Sequence, residues 1–213
     1  MNEYHLDALL VVIISYLLGS VPTAYLVGRM KNIDIFAVGS GNMGATNVGR
    51  TLGTGWGLFV WFCDSAKGIM AILIARQIMP AGSIAASTTI AGVAVIIGHN
   101  WSLFATLLTG TLRGGKGAAT ALGTLIIIAP IYVVVATALL GGLIIARTRY
   151  VSLGVLTTFA IAMAWIIVLI LQQRMAAEFT FYSLSVVALL MYRFKDNIQR
   201  LLSGTERRLG DRA

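Results

Sequence analysis

Apolar runs long enough to cross a bilayer alternate with short polar clusters along the chain. The first run, Leu6 to Val27, follows the flank MNEYHLD, which has two acids and no Lys or Arg. Arg29, Lys31 and Arg50 come after it. Basic residues concentrate on the cytoplasmic side of a membrane protein, so this span is predicted to run from outside to inside. The acidic flank and the uninterrupted run predict no cleavable leader. Leu58 to Met79 is the second span, closing at the turn signal Pro80 to Gly82. Ile84 to Leu108 brings the chain back to TGTLRGGKGAAT.

The 29 residues from Ala118 to Ala146 are interrupted by Pro130. A straight helix of that length would reach about 43 Å, against about 30 Å of hydrocarbon. Two shorter helices meeting at Pro130 would keep RGGKG and ARTRY on one side, as their shared positive charge favours. Val151 to Leu171 then crosses out and Phe179 to Tyr192 crosses back, into a tail with six basic and three acidic residues. The pattern predicts an all-α, polytopic membrane helix bundle of about seven transmembrane helices. Its N-terminus lies outside and its C-terminus inside. No polar linker divides the runs, so residues 1–213 are predicted to form a single integral-membrane domain.

Composition agrees with this reading. Hydrophobic residues make up 58% of the chain and charged residues 11%, where a soluble domain carries about 25%. The excess of 16 basic over 8 acidic residues is explained by topology. A nucleic-acid partner would want a basic face on a soluble module, and none is present. Membrane lipids are the expected surroundings, and the pattern is silent on oligomeric state. The single Cys63 lies in an apolar run and reads as a packing residue. No metal-ligand cluster and no cofactor motif is visible, so the activity is expected to need neither.

Topology gathers three polar, glycine-bearing segments on the cytoplasmic face: VGSGNMGATNVGR, TLRGGKGAAT and ARTRYVSLG. Glycine lets backbone N–H groups converge into a nest for an anion. In the first segment Gly39, Gly41 and Gly44 free the backbone, while Ser40, Asn42, Thr46 and Asn47 add neutral donors. Arg50 adds a fixed fork of charge suited to phosphate. The other reading is a tight small-residue turn with Arg50 marking the cytoplasmic side. Gly39, Gly41 and Gly44 also fit G-x-G-x-x-G, but that fingerprint requires a strand and a helix around it. GTLRGGK fits G-x-x-x-x-G-K, yet Gly117 stands where a P-loop needs Ser or Thr. What survives is the physics: Gly114, Gly115 and Gly117 free the backbone, and Arg113 and Lys116 supply charge. In the third segment Arg149 and Ser152 are spaced i, i+3 and could share a helix face.

Asp64 and Lys67, also i, i+3, lie within the second span. Charge in mid-membrane is costly, so they are expected to pair and buttress the site, with direct substrate contact as the alternative. His99 is either a general base or a buried residue fixing the loop before RGGKG.

GSGNMGATNVGR, then GH followed by RGGKG, then RYVSL, in that order, resemble the bacterial acyl-phosphate-dependent glycerol-3-phosphate acyltransferases. The likeness extends to LLGSVPTAYLVG near the start and YRFKDNIQRLLSGTE near the end. It implies a seven-span enzyme of the bacterial cytoplasmic membrane whose active site faces the cytoplasm. Such an enzyme transfers a fatty acyl group from acyl phosphate to the sn-1 hydroxyl of glycerol 3-phosphate. The products are lysophosphatidic acid and phosphate, in the first step of phospholipid synthesis.

Residue by residue, the resemblance implies that Gly39, Ser40, Gly41, Asn42, Gly44 and Asn47 cradle the acyl phosphate. Arg50 and Lys116 would be catalytic and, with Arg149, Ser152 and Asn197, would hold glycerol 3-phosphate. His99, Asp64, Lys67, Gly114 and Gly115 would support the loops. The chain departs from the family pattern at Phe194, where a histidine is usual, at Val155, and in the extra TLLTGT before Leu112. A divergent phosphate-ester binding or transport protein without acyltransferase activity is the alternative. The H-x-x-x-x-D motif of another acyltransferase class is absent, because the fifth position after His99 is Phe104.

Overall fold

A computed structural model describes residues 3–211. Among them are eleven α-helices, one 3-10 turn and no strand. The chain divides into two compact units, the first ending at Ile127 and the second running from Ile128 to Asp211.

The first unit holds α1 (Glu3–Ser20), α2 (Thr23–Met30), α3 (Ala45–Leu52), α4 (Thr54–Ile78), α5 (Ile84–Asn100), α6 (Leu103–Thr109) and α7 (Ala118–Ile128). The predicted first span, Leu6 to Val27, is therefore not one continuous helix. Pro22 has no N–H to give and keeps Val21 out of helical geometry, so α1 stops at Ser20 and α2 starts after Pro22. The predicted return span, Ile84 to Leu108, is likewise two helices. Trp101 leaves helical geometry and Ser102 caps α6, its Oγ accepting the Ala105 N–H at 3.0 Å. Both breaks meet in space. The Ser20 hydroxyl donates to the Gly98 carbonyl, and the Ser102 hydroxyl donates to the Ser20 carbonyl.

Small residues let these helices touch backbone to backbone. A Cβ at Gly19 would overlap the Val95 carbonyl, and one at Gly98 would overlap that of Tyr16, so α1 and α5 cross in direct contact. In the same way Gly68 of α4 faces the Thr120 carbonyl of α7, and Gly123 of α7 faces that of Ser65. Close approach of this kind is how helices gain packing energy where no water drives them together. A separate cluster of Ile35, Met43, Val48, Val60 and Ala105, all buried, anchors the segment between α2 and α3.

The second unit holds α8 (Ile131–Thr148), α9 (Val151–Leu171), α10 (Phe179–Arg193) and α11 (Lys195–Leu202). Pro130 caps α8, so the long apolar stretch is interrupted where predicted. Gly141 and Gly154 bring α8 and α9 together, and the Thr158 hydroxyl donates to the Thr137 and Gly154 carbonyls across and along that contact.

Large apolar side chains face outward as well as inward, among them Phe62, Leu139 and Leu171. That is the surface of a protein solvated by lipid. Five helical stretches are long and apolar enough to cross a membrane: Tyr4–Met30, Thr54–Ile78, Ile84–Thr109, Ile131–Thr148 and Val151–Leu171. Ala118–Ile128 and Phe179–Arg193 are shorter apolar helices.

Candidate active site

The first glycine segment is a loop held from inside by one side chain. Asn47, on the first turn of α3, is buried. Its Oδ1 accepts the Ser40 N–H at 2.8 Å, and its Nδ2 donates to the carbonyls of Ile35 and Val38 at 3.1 and 3.2 Å. Asn47 therefore ties the loop to its own exit helix. Gly39 and Gly41 take left-handed φ values of 60° and 62°, and Gly44 caps α3 in extended geometry. Ser40 is exposed, while Asn42, Gly44 and Arg50 are half-buried. A glycine-lined loop thus runs directly into a helix N-terminus, an arrangement that favours anions.

The RGGKG segment is seated on the end of α5. The Gly115 N–H donates to the His99 carbonyl at 2.9 Å, and the Ser102 N–H donates to the Arg113 carbonyl at 2.9 Å. A Cβ at Gly114 would overlap the Asn100 carbonyl, and one at Gly115 would overlap Nε2 of His99. Only glycine fits at either place. Lys116, next in line, is half-buried. The Arg113 guanidinium stacks over Phe36, with Cζ 4.9 Å from the ring centroid. Phe36 precedes the first glycine loop, so the first two predicted segments meet in one unit.

Beneath them lies a buried polar cluster. Lys67 Nζ sits 2.8 Å from Asp64 Oδ1, so the two pair as predicted. The ammonium also donates to the Val21 carbonyl at 2.9 Å and the Gly19 carbonyl at 3.3 Å, and lies 3.3 Å from Nδ1 of His99. His99 is buried between this cluster and Gly115, a position that suits a bracing residue.

The remaining predicted residues belong to the second unit, and one expectation about them needs correcting. Arg149 and Ser152 do not share a helix face. Arg149 ends α8 in the left-handed conformation at φ 63°, and α9 starts only at Val151. Its guanidinium donates through Nε and Nη2 to the Leu209 carbonyl at 3.0 and 2.6 Å, fastening the C-terminal tail.

Ser152 and Asn197 do come together, on a residue the sequence reading passed over. Ser152 Oγ and Asn197 Nδ2 both donate to Glu206 Oε1, at 2.7 and 2.6 Å. Arg200 Nε bonds the other oxygen at 2.8 Å. Burial raises the Glu206 carboxyl, but donors Asn197, Ser152 and Arg200 and the Arg200 charge outweigh it and hold the group below its ordinary value. Nothing in the sequence set Glu206 apart from the other two acids of the basic tail, Asp196 and Asp211. Phe194, at the end of α10, is buried.

Three comparisons bear on this site. The family described as Glycerol-3-phosphate acyltransferase matches residues 9–204. "Glycerol-3-phosphate acyltransferase 1" of Deinococcus radiodurans is 40% identical, over 97% of this chain and 98% of the relative. The glycerol-3-phosphate acyltransferase of Halalkalibacterium halodurans is 42% identical over 94% of this chain and 95% of its own. Among solved structures, the glycerol 3-phosphate form of PlsY (YgiH), an integral membrane glycerol 3-phosphate acyltransferase, superposes with a TM-score of 0.82. It is 37% identical and covers 95% of this chain and 96% of its own. The lysophosphatidic acid form gives 0.80 at 36% identity, over 95% of each chain.

Proposed function

The chain belongs to the glycerol-3-phosphate acyltransferase family, and on that premise we propose how its residues divide the reaction. The protein is an integral membrane acyltransferase that acylates glycerol 3-phosphate. The donor is acyl phosphate, and the products are lysophosphatidic acid and inorganic phosphate. The sn-1 hydroxyl attacks the acyl carbonyl carbon, the bond from that carbon to the phosphate oxygen breaks, and the hydroxyl proton leaves with the departing phosphate. Phosphate is a good leaving group, so the protein's task is positioning and charge compensation.

The observation that carries this division is the junction of two glycine-lined, cationic segments within the first unit, joined where Arg113 stacks on Phe36. Gly39, Ser40, Gly41, Asn42 and Gly44 cradle the acyl phosphate, and Asn47 serves as the internal brace of that cradle. Arg50 and Lys116 neutralise phosphate charge as the acyl group moves. Gly114 and Gly115 let the Lys116 loop lie on α5, with Asp64, Lys67 and His99 beneath. Ser152 and Asn197 take part in holding glycerol 3-phosphate, and Arg149 secures the tail that carries Glu206.

Direct transfer is favoured over an acyl-enzyme. Ser152 is paired with a carboxylate, but one already accepting from Asn197 and Arg200 and held below its ordinary pKa. Such a carboxylate is a poor base for activating a hydroxyl.

The five long and two shorter apolar helices support seven spans. With the basic residues assigned to the inside, the N-terminus is outside, and the C-terminus and active site face the cytoplasm of a bacterial cell. The family match runs across both units, which supports reading 1–213 as one catalytic domain.

The test is to give purified protein palmitoyl phosphate with and without glycerol 3-phosphate, measuring released phosphate and lysophosphatidic acid. Both products should form, and only with the acceptor present. Folded protein that binds glycerol 3-phosphate and makes neither product would favour the binding or transport reading.

A further inference from the structure

Lys67 has three N–H bonds and four acceptors within reach. Asp64 Oδ1 lies 2.8 Å from the ammonium as its ion-pair partner. The three N–H bonds serve the Val21 carbonyl at 2.9 Å and the Gly19 carbonyl and Nδ1 of His99, each at 3.3 Å. The backbone acceptors are exposed for a reason. Pro22 brings no N–H to the ladder, and the break between α1 and α2 opens the carbonyls of the last α1 turn, while the Val21 carbonyl accepts the Thr23 N–H at 3.1 Å and keeps a lone pair for the ammonium. A buried ammonium without such partners would be costly in this interior.

The imidazole is constrained by the same contact. A proton on Nδ1 would point at the ammonium hydrogens 3.3 Å away, and Asp64 Oδ1, at 3.9 Å from Nδ1, is outside hydrogen-bonding distance. Nδ1 is left bare to accept, and the ring carries its proton on Nε2, the atom lying against Gly115. The ring packs through that atom against Gly115, the residue before Lys116, whose own N–H donates to the His99 carbonyl at 2.9 Å.

We propose that Lys67 is a positioning residue for acyl transfer: it couples the broken backbone at Gly19–Val21 to His99, locks that ring in the Nε2–H tautomer, and so sets the height of the Lys116 loop. Asp64 orients Lys67 and balances its charge. This role rests on the reading of Lys116 as a phosphate-compensating group, whereas the tautomer lock stands on its own geometry.

The chain has two histidines, so H5Q leaves His99 alone for spectroscopy. Long-range proton–nitrogen correlation on H5Q labelled with ¹⁵N-histidine should report a bare Nδ1 and a protonated Nε2. The charge-neutral pair D64N/K67M avoids stranding a buried charge. It should lose the single-tautomer signature and reduce kcat by about 10-fold or more, the scale expected when a catalytic loop is misplaced. Its melting temperature should stay near that of wild type. K67R, which keeps the charge and the donors, should keep the Nε2–H signature and most of the activity.

An Nδ1–H ring in H5Q overturns the proposal, as does a folded D64N/K67M protein with wild-type kcat. Should D64N/K67M not fold, H5Q and K67R decide it: a shared Nε2–H ring supports the lock and its absence refutes it. An Nε2–H ring in H5Q protein that makes no lysophosphatidic acid supports the lock while refuting the acyltransferase reading.

Discussion

At Gly39 and Gly41 the backbone occupies a region that costs an L-residue about 1–2 kcal/mol. A Cβ at Gly41 would also come within 3.1 Å of the Phe36 carbonyl. Gly41→Ala should therefore distort the cradle, raising KM for acyl phosphate about tenfold, with a smaller change in kcat, in steady-state assays. Arg50→Ala and Lys116→Ala should each lower kcat/KM by about 100-fold or more while circular dichroism stays that of a folded helical protein; near-normal rates in both would end their assigned roles. Glu206 makes a pH prediction. Its folded pKa is depressed, so the stability it contributes is fully present above its unfolded value of about 4.3 and is lost as pH falls through the folded value. Glu206→Gln should flatten the acid limb of a melting-temperature profile below about pH 4.3, where wild type falls. These residues were unequally legible. Glycines and cations in a greasy chain stand out as a candidate anion cradle by residue type alone. Glu206 does not, because its partner Ser152 lies 54 positions away and only folding joins them. Arg149 misled because ARTRYVS carries no breaker, yet the chain turns there through a left-handed arginine.

Hydropathy located the helices well and their interruptions unevenly. Val151 to Leu171 coincides with α9, and the interruption at Pro130 lies where the length argument required it. The break at Pro22 was missed, although the residue that causes it is the same type, because the apolar run around it is short enough to span unbroken. The second missed break had a signal in Ser102, an N-cap residue three positions before Ala105. Apolar periodicity cannot register either break, since both sides remain apolar. Nor does it reveal which glycines lie at crossings. Gly123 is such a crossing, with no space for a side chain between α7 and the Ser65 carbonyl of α4. Gly123→Val should cost more than about 3 kcal/mol through overpacking and backbone displacement. A thermal-unfolding series should give a far larger loss there than at Gly142, where a Cβ would meet nothing within 4 Å.

For the molecule as a whole, the sequence carried the membrane class and the family, because both are written in long stretches that tolerate local error. The division into two compact units was not legible, since no polar linker marks residue 127. Topology is testable at this scale: a cysteine at Gly82 should react with an impermeant reagent added to intact cells, and one at Gly204 only after the inner membrane is opened. One feature also bears on how the chain is made. Asp64 and Lys67 enter the bilayer within α4, at an insertion cost of about 2.5–3.5 kcal/mol for each such charge. As an i, i+3 pair they travel already neutralised. The carbonyls of Gly19 and Val21 that receive the ammonium leave the ribosome earlier, at the end of α1, whereas His99 leaves later, at the end of α5. Each partner thus becomes available in the order in which the growing chain can use it, and moving α1 behind α5 by circular permutation should strand the lysine during biogenesis and lower the yield of inserted protein.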